Sequence, residues 1–422
     1  MLLRSHMQKH FLIAASILTA SFLLPISASA ATPSAGLPCS KVGLTSSTST
    51  KKFICIKSGK KLMWDKGVAL SKYPVLLPVE GSYGITWENI VSKINDISAA
   101  SWVDAQATIK RNQGNPNVFK NYYSYISPGA LKVDPKVGDA ETLLKRDFAL
   151  FARFPHYPKV YFVALTTEER EATQKTLLAK FGDVKYINQG IDAMYGINSN
   201  SPPGSIFSAP ECHNADSGRN AYSSTGAAVF IGVCPSLDGH DVHIQGVHVM
   251  AHEYVHMIQS AFAPGREYPN EPCWMFEGEP EWASAAVSEN FTDYLAVQHL
   301  HPYRLTEAGL NYEATDAREW TVDEVTQYLN TSLDYPACGE SNQYAYSYSL
   351  GAVTTEALAS IGGSESIFAF HQRIVSAMPY KQAFKEVYGI TWDQAVPILA
   401  QVVAKKITLS WAPTALTYQT KP

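Results

Sequence analysis

The stretch CWMFEGEPEWAS, residues 273–284, sets three glutamates among two tryptophans, a phenylalanine and small residues. Flanks of that kind press a helix against a core, where an unpaired carboxylate is costly to bury. Something has to hold Glu277 and Glu281. The candidate lies upstream, in HEYVH at residues 252–256.

HEYVH sits in a segment, 245–262, whose apolar residues recur with a helical period. Val247, Met250, Ala251, Tyr254, Val255, Met257, Ile258, Ala261 and Phe262 share one side of that helix. His252, Glu253, His256, Gln259 and Ser260 take the other. Residues four apart on a helix stand about 5–6 Å apart at Cβ, so two imidazoles can converge on one ion. Zinc–nitrogen bonds of about 2.0–2.1 Å suit that convergence. Glu253, rotated off the metal direction, is placed to act as a base toward water. Hydrolytic zinc takes three protein ligands and keeps one position open. One known source of the third is glycine three residues, and histidine six residues, beyond the second histidine. Gln259 and Phe262 stand there, so that pattern fails, and no GTxD string occurs. A glutamate on a following helix remains.

HEYVH followed by WMFEGEPEW resembles the gluzincin metallopeptidases, the superfamily of thermolysin and the zinc aminopeptidases. Many of its members carry Trp-x-x-Glu-Gly-x-x-Glu at about this distance. The resemblance covers roughly residues 200–400. It implies an α+β peptidase domain with a sheet-containing upper lobe and a mainly helical lower lobe. It implies Zn²⁺ held by His252, His256 and Glu277, with Glu281 hydrogen-bonding a ligand histidine. Glu279 is expected to point elsewhere, into solvent. Pro280 suits a helix that begins near Met275 or Phe276, because first-turn N–H groups lack intrahelical partners. YSLGAVTTEALASIGG, 348–363, resembles the segment whose tyrosine stabilises the oxyanion, which assigns that role to Tyr348, with Tyr346 and Tyr344 as alternatives. Aromatic rows such as YAYSY also pack into cores without any such role. The Gly-x-Met-Glu-Asn string of the aminopeptidase branch is missing, which favours an endopeptidase acting on protein or peptide substrates. His248 stands one turn before His252, but three in-line helical histidines rarely all reach one ion, and loop histidines such as His240 and His243 are more often surface residues, so none is read as a further ligand.

The rest of the chain frames this site. Arg4 and Lys9 precede an apolar run from Phe11 to Leu24, and Ala28-Ser29-Ala30 offers a cleavage point. A secretory signal peptide over 1–30 is expected, with a mature protein outside the cytoplasm and without a membrane span. A net charge of −4 over 422 residues argues against a nucleic-acid partner. Six cysteines in an exported chain read as disulfides, and spacing suggests Cys39–Cys55, Cys212–Cys234 and Cys273–Cys338 among fifteen pairings. Residues 31–70 form a small Cys/Lys-rich module, either a contact to an anionic envelope or wall, or a solvated spacer.

Residues 71–200 alternate helix and strand signals as an α/β lobe without a catalytic signature. Thr86 starts a helix through Ile90, Val91, Ile94 and Ile97; KVYFVAL, 159–165, is a buried strand; Thr166 and Glu169 form a capping box. The peptidase-like domain follows over 201–422. AAVFIGV, 227–233, is a strand placed to pair with an extended substrate, and helices continue to about residue 405. A capping box is expected at Thr321 and Glu324, and Gly362-Gly363 ends another helix. YGITWEN and YGITWDQ echo each other through helix-capping chemistry rather than duplication. A non-catalytic zinc-containing surface or binding protein, and a zinc amidase or esterase acting on cell-wall material, remain as rival readings.

Overall fold

The computed structural model describes residues 32–48, 51–69, 84–114, 122–166, 169–182, 217–223, 226–233, 242–262, 271–298, 320–339, 343–375 and 378–410. The signal peptide, the Cys212–Cys234 pairing and His240 lie outside them. The chain divides into two compact units, residues 1–72 and 73–422.

In the first unit β1 (Thr45–Ser47), β2 (Lys51–Ser58) and β3 (Lys61–Trp64) form an antiparallel sheet, with β4 (Val68–Ala69) also on β2. Alternation along β2 buries Phe53 and Cys55 and leaves Ile54 and Ile56 outside. Cys55 is joined to Cys39, a staple that so small a sheet needs. Gly67 has φ +69°, and a Cβ there would lie 2.6 Å from the Phe53 ring, so the turn admits no side chain.

The second unit is a mixed α and β fold around one sheet, ordered β5 (Tyr122–Ile126), β6 (Val160–Leu165), β8 (Gly226–Gly232), β7 (Ser217–Ser223). The first three are parallel and β7 runs antiparallel to β8. β6 and β8 are buried on both faces, hence their unbroken apolar runs. Val160, Phe162, Val229 and Ile231 face the main core. Tyr161, Val163 and Phe230 face a smaller cluster with Leu177. β8 therefore cannot receive a substrate strand, contrary to expectation: its two hydrogen-bonding edges are taken by β6 and β7.

The lobe expected over 71–200 and the domain expected from 201 share this sheet and one apolar core reaching from Ile85 to Ile407. The helices show why. α1 (Ile97–Asn112), α2 (Pro128–Val133), α3 (Ala140–Leu150) and α4 (Arg170–Phe181) come first. α5 (Val242–Phe262) carries HEYVH, and α6 (Cys273–Ala286) carries the three glutamates. Helix C-termini leave carbonyls without intrahelical partners. At the end of α6, Gln106 donates to Ala286 O at 2.9 Å, Trp102 to Ser288 O at 3.2 Å, and Arg146 to Val287 O at 2.5 Å. α1 and α3 thus finish α6, and a cut near residue 200 would strip its terminus.

Beyond α6 come α7 (Phe291–Gln298), α8 (Val322–Thr331), α9 (Gln343–Tyr346), a π-helical turn over Ser347–Gly351, and α10 (Ala352–Gly362). α11 (Ser364–Val375), α12 (Tyr380–Tyr388) and α13 (Trp392–Ser410) follow. Thr321 and Glu324 form the expected capping box, and Gly363 at φ +81° ends α10. Thr391 and Gln394 exchange cap hydrogen bonds at the start of α13, whereas Thr86 N–H donates to Asn89 at the start of a run of turns, so only the second YGITW caps a helix. Cys273–Cys338 is formed.

Two helix starts differ from expectation. After Thr86 the chain makes turns and a short 3-10 segment, and α1 begins only at Ile97. Ile90 and Ile94 are buried all the same, since successive turns give nearly the spacing of a helix. Glu169 does not close a capping box on α4. Its carboxylate does accept from the Thr166 hydroxyl at 3.0 Å, but it also accepts from Gly129 N–H at 2.8 Å and from the Ser127 hydroxyl, and so ties Thr166 to the start of α2.

α13 is tied to the core by a buried ion pair. Lys406 Nζ lies 3.0 Å from Glu356 Oε2 on α10 and donates to Ser98 at 2.8 Å, while Tyr294 donates to Glu356 Oε1 at 2.7 Å. Burial pushes the Glu356 carboxyl up, but Lys406 and the hydroxyls of Tyr294 and Ser98 outweigh it, and the net direction is down from 4.5. That contribution to stability is therefore present above pH 4.5 and is lost as pH falls below it toward the depressed value. Lys406→Met, which strands the carboxylate, is expected to cost about 3–5 kcal/mol in urea unfolding at neutral pH. A loss under about 1 kcal/mol would show the pair to be dispensable.

Candidate metal centre

α5 and α6 pack side by side, which sets HEYVH against the glutamates. His252 Nε2, His256 Nε2 and Glu277 Oε2 lie 3.1 Å from one another on all three sides of a triangle. All three side chains are buried. His252 Nδ1 lies 2.6 Å from Glu281 Oε1, and His256 Nδ1 lies 2.8 Å from Gln259 Oε1. Both of those oxygens only accept, so each Nδ1 carries the hydrogen and each Nε2 turns a lone pair inward. Three acceptors then face one another in a dry site, which is unfavourable unless a cation lies between them. A tetrahedral ion with bonds of about 2.0–2.1 Å sets its ligands about 3.3 Å apart, close to this triangle. The donor set of two nitrogens and one carboxylate fits zinc.

The electrostatics show the same demand without an ion. Burial pushes the Glu277 carboxyl up, yet the two imidazoles hold it well below the ordinary carboxylate value. Burial pushes the His252 ring down, yet Glu281 and Glu277 raise it well above its ordinary value, and His256 is raised in the same way by Glu277. The pocket is built for positive charge at its centre.

Glu253, unlike these three residues, is half-buried. Tyr348 stacks on His252 with ring centroids 6.0 Å apart, and its hydroxyl lies 2.9 Å from that of Tyr344. Tyr344 in turn donates to Glu277 Oε1 at 2.6 Å, which leaves Oε2 alone facing the imidazoles. Burial beside Glu277 pushes the Tyr348 phenol well above its ordinary value, so it stays protonated and able to donate. Tyr346 packs edge-on against Trp320, centroids 4.9 Å apart, and is a core residue. Tyr344 stands just before the π-helical turn and Tyr348 within it, and their hydroxyls, four apart in sequence, meet each other beside Glu277. His248 Nδ1 is bonded to Ser284 O at 2.5 Å and is not part of the triangle.

Two further points differ from the sequence reading. α6 begins at Cys273, so Pro280 lies well inside it. Glu279 is not solvated: it is fully buried, accepting from Gln259 Nε2 at 3.0 Å and bonded to His371 Nδ1 at 3.0 Å. Sequence reasoning also missed Glu271 and His371, which lie too far along the chain for spacing to connect them. His371 Nδ1 is 3.4 Å from Glu271 Oε1, and Gln259 Nε2 donates to that oxygen at 3.2 Å. Burial pushes His371 down, but Glu279 and Glu271 raise it to about 9, so it is cationic at neutral pH. Burial pushes Glu271 up to about 7.

No family model, curated protein or solved structure matches the chain.

Close packing of the two glycines joins the tyrosine segment to α6. A Cβ on Gly278 would lie 2.4 Å from the Gly351 carbonyl carbon, and one on Gly351 would lie 2.2 Å from Trp274 O. Backbone meets backbone there, so nothing can swing aside. Gly278→Ala is expected to cost about 3 kcal/mol in denaturant unfolding, the upper end of overpacking. A variant as stable as the wild type would show that the two helices can part freely.

Proposed function

We propose that the protein is a secreted, zinc-dependent metallopeptidase of gluzincin type, an endopeptidase rather than an aminopeptidase. The observation that carries this reading is the triangle of two imidazole nitrogens and one carboxylate oxygen, with a half-buried glutamate and a protonated phenol beside it.

When bound, zinc supplies Lewis acidity that polarises a carbonyl and lowers the pKa of water. His252, His256 and Glu277 hold the ion. Glu281 fixes the His252 ring through Nδ1. Glu253 takes a proton from the attacking water and passes it to the leaving amine. Tyr348 donates to the oxyanion of the tetrahedral intermediate. Tyr344 spends its one hydrogen on Glu277 Oε1, so in the resting site the proton between the two phenols belongs to Tyr348. Substrate binding then requires the Tyr348 O–H to turn from Tyr344 to the substrate. Tyr344 holds it ready meanwhile.

The 31–70 module carries seven lysines and one acidic residue, Asp65, in a chain of net charge −4. Such a module suits attachment to an anionic envelope or wall. No described helix is long and apolar enough to cross a membrane.

Glu253→Gln should lower turnover of casein or a peptide library by about 10²–10⁴-fold while zinc content is unchanged. Glu277→Ala should lose the zinc. Undiminished hydrolysis by Glu253→Gln would overturn the mechanism. Cleavage of peptidoglycan but not casein would favour an amidase, and zinc binding without any hydrolysis a binding protein.

A further inference from the structure

Behind His256 lies a second buried group, Gln259, Glu271, Glu279 and His371, to which the proposed chemistry assigns nothing. Gln259 comes from α5, Glu279 from α6 and His371 from α11, while Glu271 stands two residues before α6. Three of them, Glu271, Glu279 and His371, bring ligand-type atoms within 4.8 Å of one another, as the zinc triangle does. The contacts separate the two groups. In the triangle, each Nδ1–H is used on the outside and the inner atoms lack hydrogens. In the second group the inner atoms already meet donors: the Gln259 amide donates to Glu279 Oε2 at 3.0 Å and Glu271 Oε1 at 3.2 Å, and the His371 ring lies 3.0 Å from Glu279 Oε2.

A third acceptor faces the same amide. Pro280 has no N–H, so the carbonyl of Phe276, one turn before it in α6, lacks its helical donor. Gln259 Nε2 donates to that carbonyl at 3.3 Å. With three acceptors around its nitrogen, the amide can sit only one way round, and its oxygen is left for His256 Nδ1 at 2.8 Å. A flipped amide would set a carbonyl oxygen against two carboxylates.

We propose that Gln259 is a positioning residue for the metal site, its amide oriented by Glu271, Glu279 and the Phe276 carbonyl so that His256 is locked in the tautomer with a free Nε2. His371 serves as the counter-charge that allows two carboxylates to be buried behind a neutral amide. This rests on the reading of His252, His256 and Glu277 as zinc ligands. It adds that the second group holds protons, not a second ion.

The test uses the full-length mature protein, stripped of metal and titrated with Zn²⁺ against a chromophoric chelator. Metal content per chain and the ¹⁵N shifts of His256 are recorded alongside. Gln259→Met removes the amide at nearly constant volume, and Glu279→Gln removes a carboxylate that holds it. Thr354→Val, which deletes a buried hydroxyl bonded to Leu350 O at 2.7 Å, is the packing control. Expected are one zinc per chain, an affinity about 10- to 100-fold weaker in Gln259→Met, and a mixed His256 tautomer in the metal-free variant. Glu279→Gln should move both readouts in the same direction, and Thr354→Val neither. Wild-type affinity and a single tautomer in both site variants would overturn the proposal and leave the zinc reading intact. Two zinc ions per chain, one lost in Glu279→Gln, would overturn it as well. A wild type that binds no zinc would remove the ligand reading beneath it. If Gln259→Met does not fold, Glu279→Gln decides alone.

Discussion

Three acceptor atoms, each 3.1 Å from the next and shut away from water, form the constraint around which the second unit is organised. Left to themselves they repel. The groups around them hold them in place. Glu281 and Gln259 use up the outer nitrogen hydrogens, and Tyr344 occupies the far oxygen of Glu277. α6 is pinned against the tyrosine segment by a glycine contact too tight for a methyl group. The arrangement is strained electrostatically and relaxed sterically, which is what a preformed cation site needs.

The remainder of the unit supplies rigidity from a distance. α5 leans on the sheet side of the core and on α3, where Phe148 and Tyr254 meet at 4.7 Å between ring centroids, and His156 bonds Tyr254 at 2.6 Å. Tyr254 lies between Glu253 and Val255, so the same helical turn that carries the half-buried Glu253 is clamped behind by aromatic rings. α6 is finished by side chains from α1 and α3, and α11 is started by Asp104, which accepts from the Ser364 N–H and hydroxyl. Segments far apart in sequence thus share the work of holding two helix ends, and the unit cannot be divided where the composition changes.

What was legible in the sequence is what depends on short-range periodicity. The facing of His252, Glu253 and His256 follows from one helix, and the distance from His256 to Glu277 is bridged by a resemblance that the geometry suits. The strands over 160–165 and 226–232 follow from apolar runs long enough to be buried and too short for helices. What escaped depends on tertiary pairing. Thr166-x-x-Glu169 has the letters of a capping box, but its carboxylate is shared among Thr166, Gly129 and Ser127, and α4 gains no side-chain cap from it. β8 looks like any exposed or buried strand until its neighbours are known. Glu279 resembles a solvated acid because its partners, Gln259 and His371, lie 20 and 92 residues away. Tyr344 and Tyr348 could be weighed only against each other, since the sequence does not announce a π-helical turn.

The crowding of glutamates in 273–284 then has a physical reading that neither the ligand set nor the packing gives alone. Four carboxyl groups, from Glu271, Glu277, Glu279 and Glu281, are buried within one neighbourhood. In the proposed site a divalent cation would offset two charges, beside the His371 imidazolium as a third and the proton on Glu271, raised to about 7, as the fourth. Remove the cation and the imbalance falls on the ligand histidines, which is why both are raised toward their protonated forms. Proton uptake and metal binding therefore compete for the same two nitrogens, and the acids around them set the terms of that competition. The tryptophans and small residues of this stretch keep water from settling the charge instead: Trp274 and Trp282 are fully buried, and the latter donates to Ser101 at 2.8 Å, closing the helix against α1.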